Sequence, residues 1–125
     1  LRAEKIDRIA ERIPLQEIDN GNKTGKLLVL GWGSTYGAVK TAVAEARKKG
    51  ADVSHAHLRY LRPFPKNLEE ILNGFEKVLI PEINNGQLVK IIRDQFLIPA
   101  IALNKIQGLP YTTKEIRMKI DEMLK

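Results

Sequence analysis

An α/β domain with a largely parallel sheet, covered by helices on both faces, is the fold class this sequence predicts. Three observations carry it. Short apolar runs alternate with amphipathic stretches along most of the chain, the order expected of β-α units. The runs are near-continuously apolar, as in Leu27-Leu28-Val29-Leu30, which marks strands buried on both faces. Finally, 125 residues with 43% hydrophobic and 29% charged content fit one soluble domain with a core of its own.

The elements follow in order. Residues 2–13 place Ile6, Ile9, Ala10 and Ile13 at helical spacing, and Pro14 ends that helix. Residues 15–26 are polar, with a turn cluster at Asp19-Asn20-Gly21-Asn22. Residues 1–26 are therefore expected to be a connecting helix and linker, and residues 27–125 the compact domain. Residues 27–30 form the first strand. Val39, Ala42, Val43 and Ala46 share one face of a helix over 36–49, which Gly50 stops. A second strand spans 52–58, a short helix 66–73 and a third strand 76–80. A helix over 86–96 carries Leu88, Ile91, Ile92 and Phe96 on one face. A fourth strand is expected within 99–103, and a last helix over 113–124 carries Ile116, Ile120, Met123 and Leu124.

Composition excludes several functions. The chain has no cysteine, so it can supply no disulfide, thiolate metal site, cysteine nucleophile or iron–sulfur ligand. That is compatible with a cytoplasmic location, the expected one. No apolar stretch approaches the ~20 residues needed to cross a bilayer, and no signal peptide is visible. The net charge of +6 is spread over many segments, and the densest cluster, Arg47-Lys48-Lys49, sits where it complements a helix dipole. A basic stripe interleaved with aromatics is lacking, so nucleic acid is not an expected partner, and the field suits an acidic protein better. The chain opens at Leu1 inside a helical pattern and is expected to belong to a longer protein.

Three strand-to-helix junctions draw attention, because ligands and partners of open α/β sheets are met there. The first is Gly31-Trp32-Gly33-Ser34-Thr35-Tyr36-Gly37. Gly33, Ser34 and Thr35 could cradle an anion at a helix N-terminus. The dinucleotide fingerprint fails, however, because Tyr36 stands at its third glycine, and no Gly-Lys-Ser/Thr completes a P-loop. A plain turn, with Ser34 or Thr35 capping the helix, is the simpler expectation. The second is Arg59-Tyr60-Leu61-Arg62-Pro63-Phe64-Pro65, stiffened by its prolines. Arg59 and Arg62 could hold an anion, but are expected to pair with Glu82 at a neighbouring strand end, Glu82 holding either Arg59 or backbone donors. The third is Ile80-Pro81-Glu82-Ile83-Asn84-Asn85-Gly86-Gln87-Leu88, a capped junction with Asn84 or Asn85 as N-cap and Gly86 easing the bend. His55 and His57 share one strand face, yet no other histidine and no local acid completes a zinc site, so packing or hydrogen bonding is expected of them. No Ser/His/Asp triad or acid–base carboxylate pair can be assembled.

Taken in order, Leu28 to Ser34, His55 to Pro65, Ile80 to Leu88, and Asn104-Lys105-Ile106-Gln107-Gly108-Leu109-Pro110-Tyr111 resemble the C-terminal domain of the alpha subunit of 2-oxoglutarate:ferredoxin oxidoreductases (2-oxoglutarate synthases). The resemblance covers essentially the whole chain. The commoner family form has Asn at Arg62 and Phe at Tyr111. The resemblance implies a three-layer α/β/α sandwich of the transketolase C-terminal type, with one antiparallel strand in the sheet. It implies a complete enzyme that oxidatively decarboxylates 2-oxoglutarate or a related 2-oxoacid to the acyl-CoA and reduces ferredoxin. Thiamine diphosphate, Mg and an Fe–S cluster would be held outside this domain, which would bind no cofactor and carry no catalytic residue. Arg59, Arg62, Pro63, Glu82, Asn84, Gly86 and Gln87 would then form a motif surface facing the other domains of the alpha subunit and the beta subunit. Two alternatives stay open: a stand-alone anion- or nucleotide-binding module using Gly33 and Ser34, and the C-terminal domain of another thiamine-dependent enzyme.

Overall fold

The structure is a computed structural model and describes residues 12–61, 63–82, 87–104 and 111–125. Four strands, β1 (Gly25–Trp32), β2 (Val53–Leu58), β3 (Phe75–Glu82) and β4 (Ile101–Asn104), form one sheet in the order β2-β1-β3-β4. All three pairings are parallel. Helices α1 (Tyr36–Lys48), α2 (Leu68–Asn73), α3 (Gln87–Phe96) and α4 (Thr113–Met123) complete the alternation. The predicted helix over 2–13 falls almost wholly outside the described residues.

The helices sort onto the two faces by the period-two alternation of the strands. Leu27, Val29, Val53 and Leu79 meet α1 and α4 through Val39, Val43, Ile116 and Ile120. Leu28, Leu30, Ala56, Val78 and Ile80 meet α2 and α3 through Leu68, Leu72, Leu88 and Ile92. The three predicted layers are thus present. Leu27, Leu30, Ile92, Ile116 and Ile120 are wholly buried. Each such side chain contributes about 2–3 kcal/mol relative to leaving it exposed.

Helix ends follow the sequence. Thr112 accepts the Glu115 amide while Glu115 accepts the Thr112 amide, a reciprocal cap that starts α4. Gly50 adopts φ +92° just beyond α1, where a side chain would be strained. Within α1, Arg47 reaches over the last turn to donate to the Val53 carbonyl at 2.9 Å.

The antiparallel strand implied by the resemblance appears among the described residues only as an isolated bridge between Asn20 and His55. It lies on the outer edge of β2. Residues 16–22, expected as linker, run along that edge and are hydrogen-bonded to it. Gln16 donates its side-chain amide to the His57 carbonyl at 2.9 Å, and Asp19 and Asn20 exchange backbone bonds with His55.

Candidate functional site

The three junctions singled out by the sequence converge on one crevice. After Val29 and Leu79 the two central strands part: β1 continues with β2 as far as Trp32 and Leu58, while β3 continues with β4 as far as Glu82 and Asn104. Pro81 lies in this last stretch and has no N–H to offer a neighbour. The chain leaves β1 for α1 on one face and leaves β3 for α3 on the other. A topological switch point therefore opens between them, the usual ligand or partner site of such sheets. A groove of about 350 Å³ occupies it, walled by Trp32, Leu61, Phe64, Leu88 and Ile91, with Gln87 and Gln95 as its amide groups. Phe64, held between Pro63 and Pro65, is buried against Phe96 with ring centroids 5.7 Å apart. Ile91 and Tyr60 stay 41% and 42% exposed, so apolar surface remains open around the crevice. A larger, shallower depression of about 1020 Å³ lies between residues 14–24 and α2, lined by Leu15, Lys23, Asn67 and Ile71. It gathers none of the strand-end turns.

Gly33, Ser34 and Thr35 form a 3-10 turn between β1 and α1. Gly33 has φ +63°, a left-handed conformation that favours glycine. The expected helix cap is not made. Thr35 occupies the N-cap position of α1, but its hydroxyl turns back, donating to the Trp32 carbonyl at 2.9 Å and accepting the Trp32 amide at 3.2 Å. Threonine hydroxyls compete for nearby backbone groups in this way. Ser34 is exposed and makes no cap either.

Glu82 is 3% exposed. Its carboxylate accepts the Leu88 amide at 2.7 Å and the Val89 amide at 3.2 Å, so a strand-end acid satisfies the first turn of α3. Asn84, Asn85 and Gly86, the expected cap and bend, lie outside the described residues. On its backbone side, the Glu82 carbonyl faces the Tyr111 hydroxyl at 2.5 Å, and that hydroxyl also lies against the Leu103 carbonyl. With one proton, it serves these two acceptors in turn. Burial pushes the Tyr111 phenol up to about 12. Tyr111 thereby ties the start of α4 to the ends of β3 and β4.

The expected pairing of Arg59 with Glu82 is not formed. Strand order is the reason: β1 lies between β2 and β3, so the ends that carry Arg59 and Glu82 are not neighbours. Arg59 instead pairs with Asp19 at 3.1 Å and donates to the His57 carbonyl at 3.0 Å. Arg62 lies outside the described residues.

His55 and His57 project from β2 toward the N-terminal end of α1, where the Tyr36 ring meets them at centroid distances of 5.7 and 4.9 Å. They are packed, as expected. Among the described residues, neither ring nitrogen of His55, nor Nδ1 of His57, has a hydrogen-bond partner. Burial lowers His55 from 6.5 to about 4, with His57, Arg59 and Lys40 adding to the effect and Asp19 opposing it. His57 is lowered for the same first reason.

The residues present do not fit the cofactors that the resemblance implies for a complete enzyme. Cysteine ligands for a cluster are lacking throughout the chain. Among the described residues, no three His, Cys, Asp or Glu side chains converge to hold a metal such as the Mg of a diphosphate. Glu82 already has both carboxylate oxygens engaged by backbone amides.

Comparison with known proteins identifies the family of the chain. The family model for pyruvate:ferredoxin oxidoreductase core domain II matches residues 25–116. The chain is 43% identical over 116 residues to the KorA subunit of 2-oxoglutarate oxidoreductase from Mycobacterium tuberculosis, covering 93% of this chain and 18% of that protein. It is 34% identical over 128 residues to the alpha subunit of 2-oxoacid:ferredoxin oxidoreductase 2 from Aeropyrum pernix, covering 98% and 20%. In three dimensions it superposes with TM-score 0.90 and 26% identity on a 2-oxoglutarate:ferredoxin oxidoreductase from Magnetococcus marinus, solved with 2-oxoglutarate, coenzyme A and succinyl-CoA bound. That match covers 99% of this chain and 22% of the other. The chain therefore spans about one fifth of the length of these relatives.

Proposed function

The chain belongs to the pyruvate:ferredoxin oxidoreductase core domain II family, and from that premise we propose that it is an interface domain of the alpha subunit of a 2-oxoacid:ferredoxin oxidoreductase. The complete enzyme would oxidatively decarboxylate 2-oxoglutarate, or a closely related 2-oxoacid, to the acyl-CoA and pass the electrons to ferredoxin. Thiamine diphosphate, Mg and the iron–sulfur cluster would reside in its other parts, and the assembly would work in the cytoplasm. Among the described residues no helix is long and apolar enough to cross a membrane.

One observation supports the interface role above the others. The switch-point groove is walled mainly by apolar side chains, and Glu82, at the end of β3, has both carboxylate oxygens engaged in capping α3. Such a surface suits the burial of a neighbouring domain better than proton transfer. Gln87, Pro63 and the rim residue Ile91 would contact the remaining domains of the alpha subunit or the beta subunit.

The test is Ile91→Asp in the assembled enzyme. It places a charge on the exposed rim and leaves the core intact. Assembly followed by analytical ultracentrifugation is expected to weaken, with the melting temperature of the isolated chain unchanged. Calorimetric titration of the chain with coenzyme A and with thiamine diphosphate is expected to give no binding heat. Micromolar binding of either, or normal assembly by Ile91→Asp, would overturn the interface reading.

A further inference from the structure

The outer edge of β2 carries a feature the interface role does not use. β2 is the first strand of the sheet order, so one side of its backbone would face solvent. An open edge of this kind invites pairing with another chain. Residues 16–22 cover it. Asp19 and Asn20 donate to the His55 carbonyl at 2.8 and 3.2 Å, and the His55 amide returns a bond to Asn20 at 2.8 Å. The Asp19 carboxylate accepts the His57 amide at 2.5 Å, the Asn22 amide donates to the Ser54 hydroxyl at 3.0 Å, and Gln16 bonds the His57 carbonyl. Nearly every one of these bonds ends on the backbone of the two histidines whose rings lie buried behind the edge.

We propose that residues 16–22 are a strap over the edge of β2, latched by the neutral state of His55 and His57 and released when those rings take up protons. The geometry gives the reason. His55 is wholly buried, its nitrogens have no hydrogen-bond partner among the described residues, and its ring centroid lies 6.4 Å from that of His57. The groups facing the pair are Tyr36 and Lys40 from α1, Arg59 beyond β2, and Asp19 from the strap. Two of these are cations and one is an anion already shared with Arg59 and the His57 amide. Imidazolium there would be desolvated, beside a second imidazolium, and short of acceptors. Opening must then occur where it costs least. α1 is held by Val39, Ala42, Val43 and Ala46, all fully buried, whereas the one apolar side chain of the strap, Ile18, is only half-buried and its other buried groups are polar. The strap therefore lifts first.

The direction follows from linkage. A histidine lowered in the folded state binds fewer protons there than when released, so its stabilisation is present above 6.5 and is lost as pH falls toward about 4. An opening that returns His55 to its ordinary value is favoured by roughly a hundredfold across that range.

Hydrogen exchange of the chain between pH 7 and 4, corrected for intrinsic rates, reads this directly. Amides of Asp19, Asn20, His55 and His57 are expected to lose protection by roughly a hundredfold while those of Leu28 and Ile116 keep theirs. His55→Phe sacrifices no hydrogen bond and is expected to keep most of the strap protection at low pH. If its strap opens over the same range as the parent, His55 is not the trigger and the proposal fails. Should that variant not fold, the histidine Cε1 signals of the parent chain decide. They must titrate together with strap opening, and proton uptake without loss of protection would overturn the latch. So would simultaneous loss of protection at Leu28 and Ile116.

Discussion

The junctions after β1 and after β3 flank the same crevice and solve the same problem in different ways. After β1, a threonine hydroxyl folds back on the strand's own last residue, and α1 begins with no side-chain cap. After β3, a buried carboxylate reaches across the crevice edge and holds the first amides of α3. The first turn is exposed, glycine-bearing and locally closed. At the second, Glu82 is buried and tied through Tyr111 to β4 and α4. A glycine-rich strand-to-helix turn therefore need not be the junction on which a domain depends, even where its pattern suggests an anion cradle.

Substitutions should separate the two junctions by size of effect. Glu82→Gln keeps the shape but removes the charge and turns one acceptor into a donor facing an amide. We expect a loss of about 2–3 kcal/mol in urea unfolding of the chain. In the assembled enzyme it should weaken association while the chemical step stays nearly intact, and a large turnover loss with normal assembly would break the contrast. Gly33→Ala should cost less, about 1 kcal/mol, since the strain at φ +63° is the whole penalty and a methyl group there meets nothing within 4 Å. Gly37→Ala should go the other way. It lies in the first turn of α1 with open space around it, so alanine should stabilise by about 0.5–1 kcal/mol. If Gly37→Ala instead abolished function at unchanged stability, the turn after β1 would be a ligand cradle after all.

Much of the fold was legible because the strands and helices each carry a period of their own. Leu27 to Leu30 could only be a strand buried on both faces, and Val39, Ala42, Val43 and Ala46 could only be one helical face. The importance of Glu82 was also legible, as an acid between an apolar run and an amphipathic one, and backbone amides are among the partners it was expected to hold. The partner of Arg59 was not. Periodicity says which residues form strands but not which strands are neighbours, and the crossover that puts β1 between β2 and β3 decides the matter. The strap was hidden for a related reason. Gln16, Asp19 and Asn20 look like linker residues, because their hydrogen bonds run to a strand more than thirty positions away. Only a buried polar residue at Gln16 betrays it, and burial cannot be read from one polar letter. Thr35 was misjudged at short range, where the Trp32 carbonyl and amide took the hydroxyl that would otherwise have accepted the first amides of α1.

The central position of β1 bears on how the chain is made. β1 precedes both of its partners in the chain, with Leu27 meeting Val53 on one side and Gly25 meeting Phe75 on the other. No hairpin can shelter it meanwhile, because parallel neighbours require a full crossover between them. This apolar segment therefore waits for its first partner through the synthesis of α1 and for its second through that of β2 and α2, a topology that folds slowly and exposes its core early. Pausing translation before Phe75 should leave a nascent chain that chaperones hold, and release beyond Asn104 should let the sheet close from its middle outward.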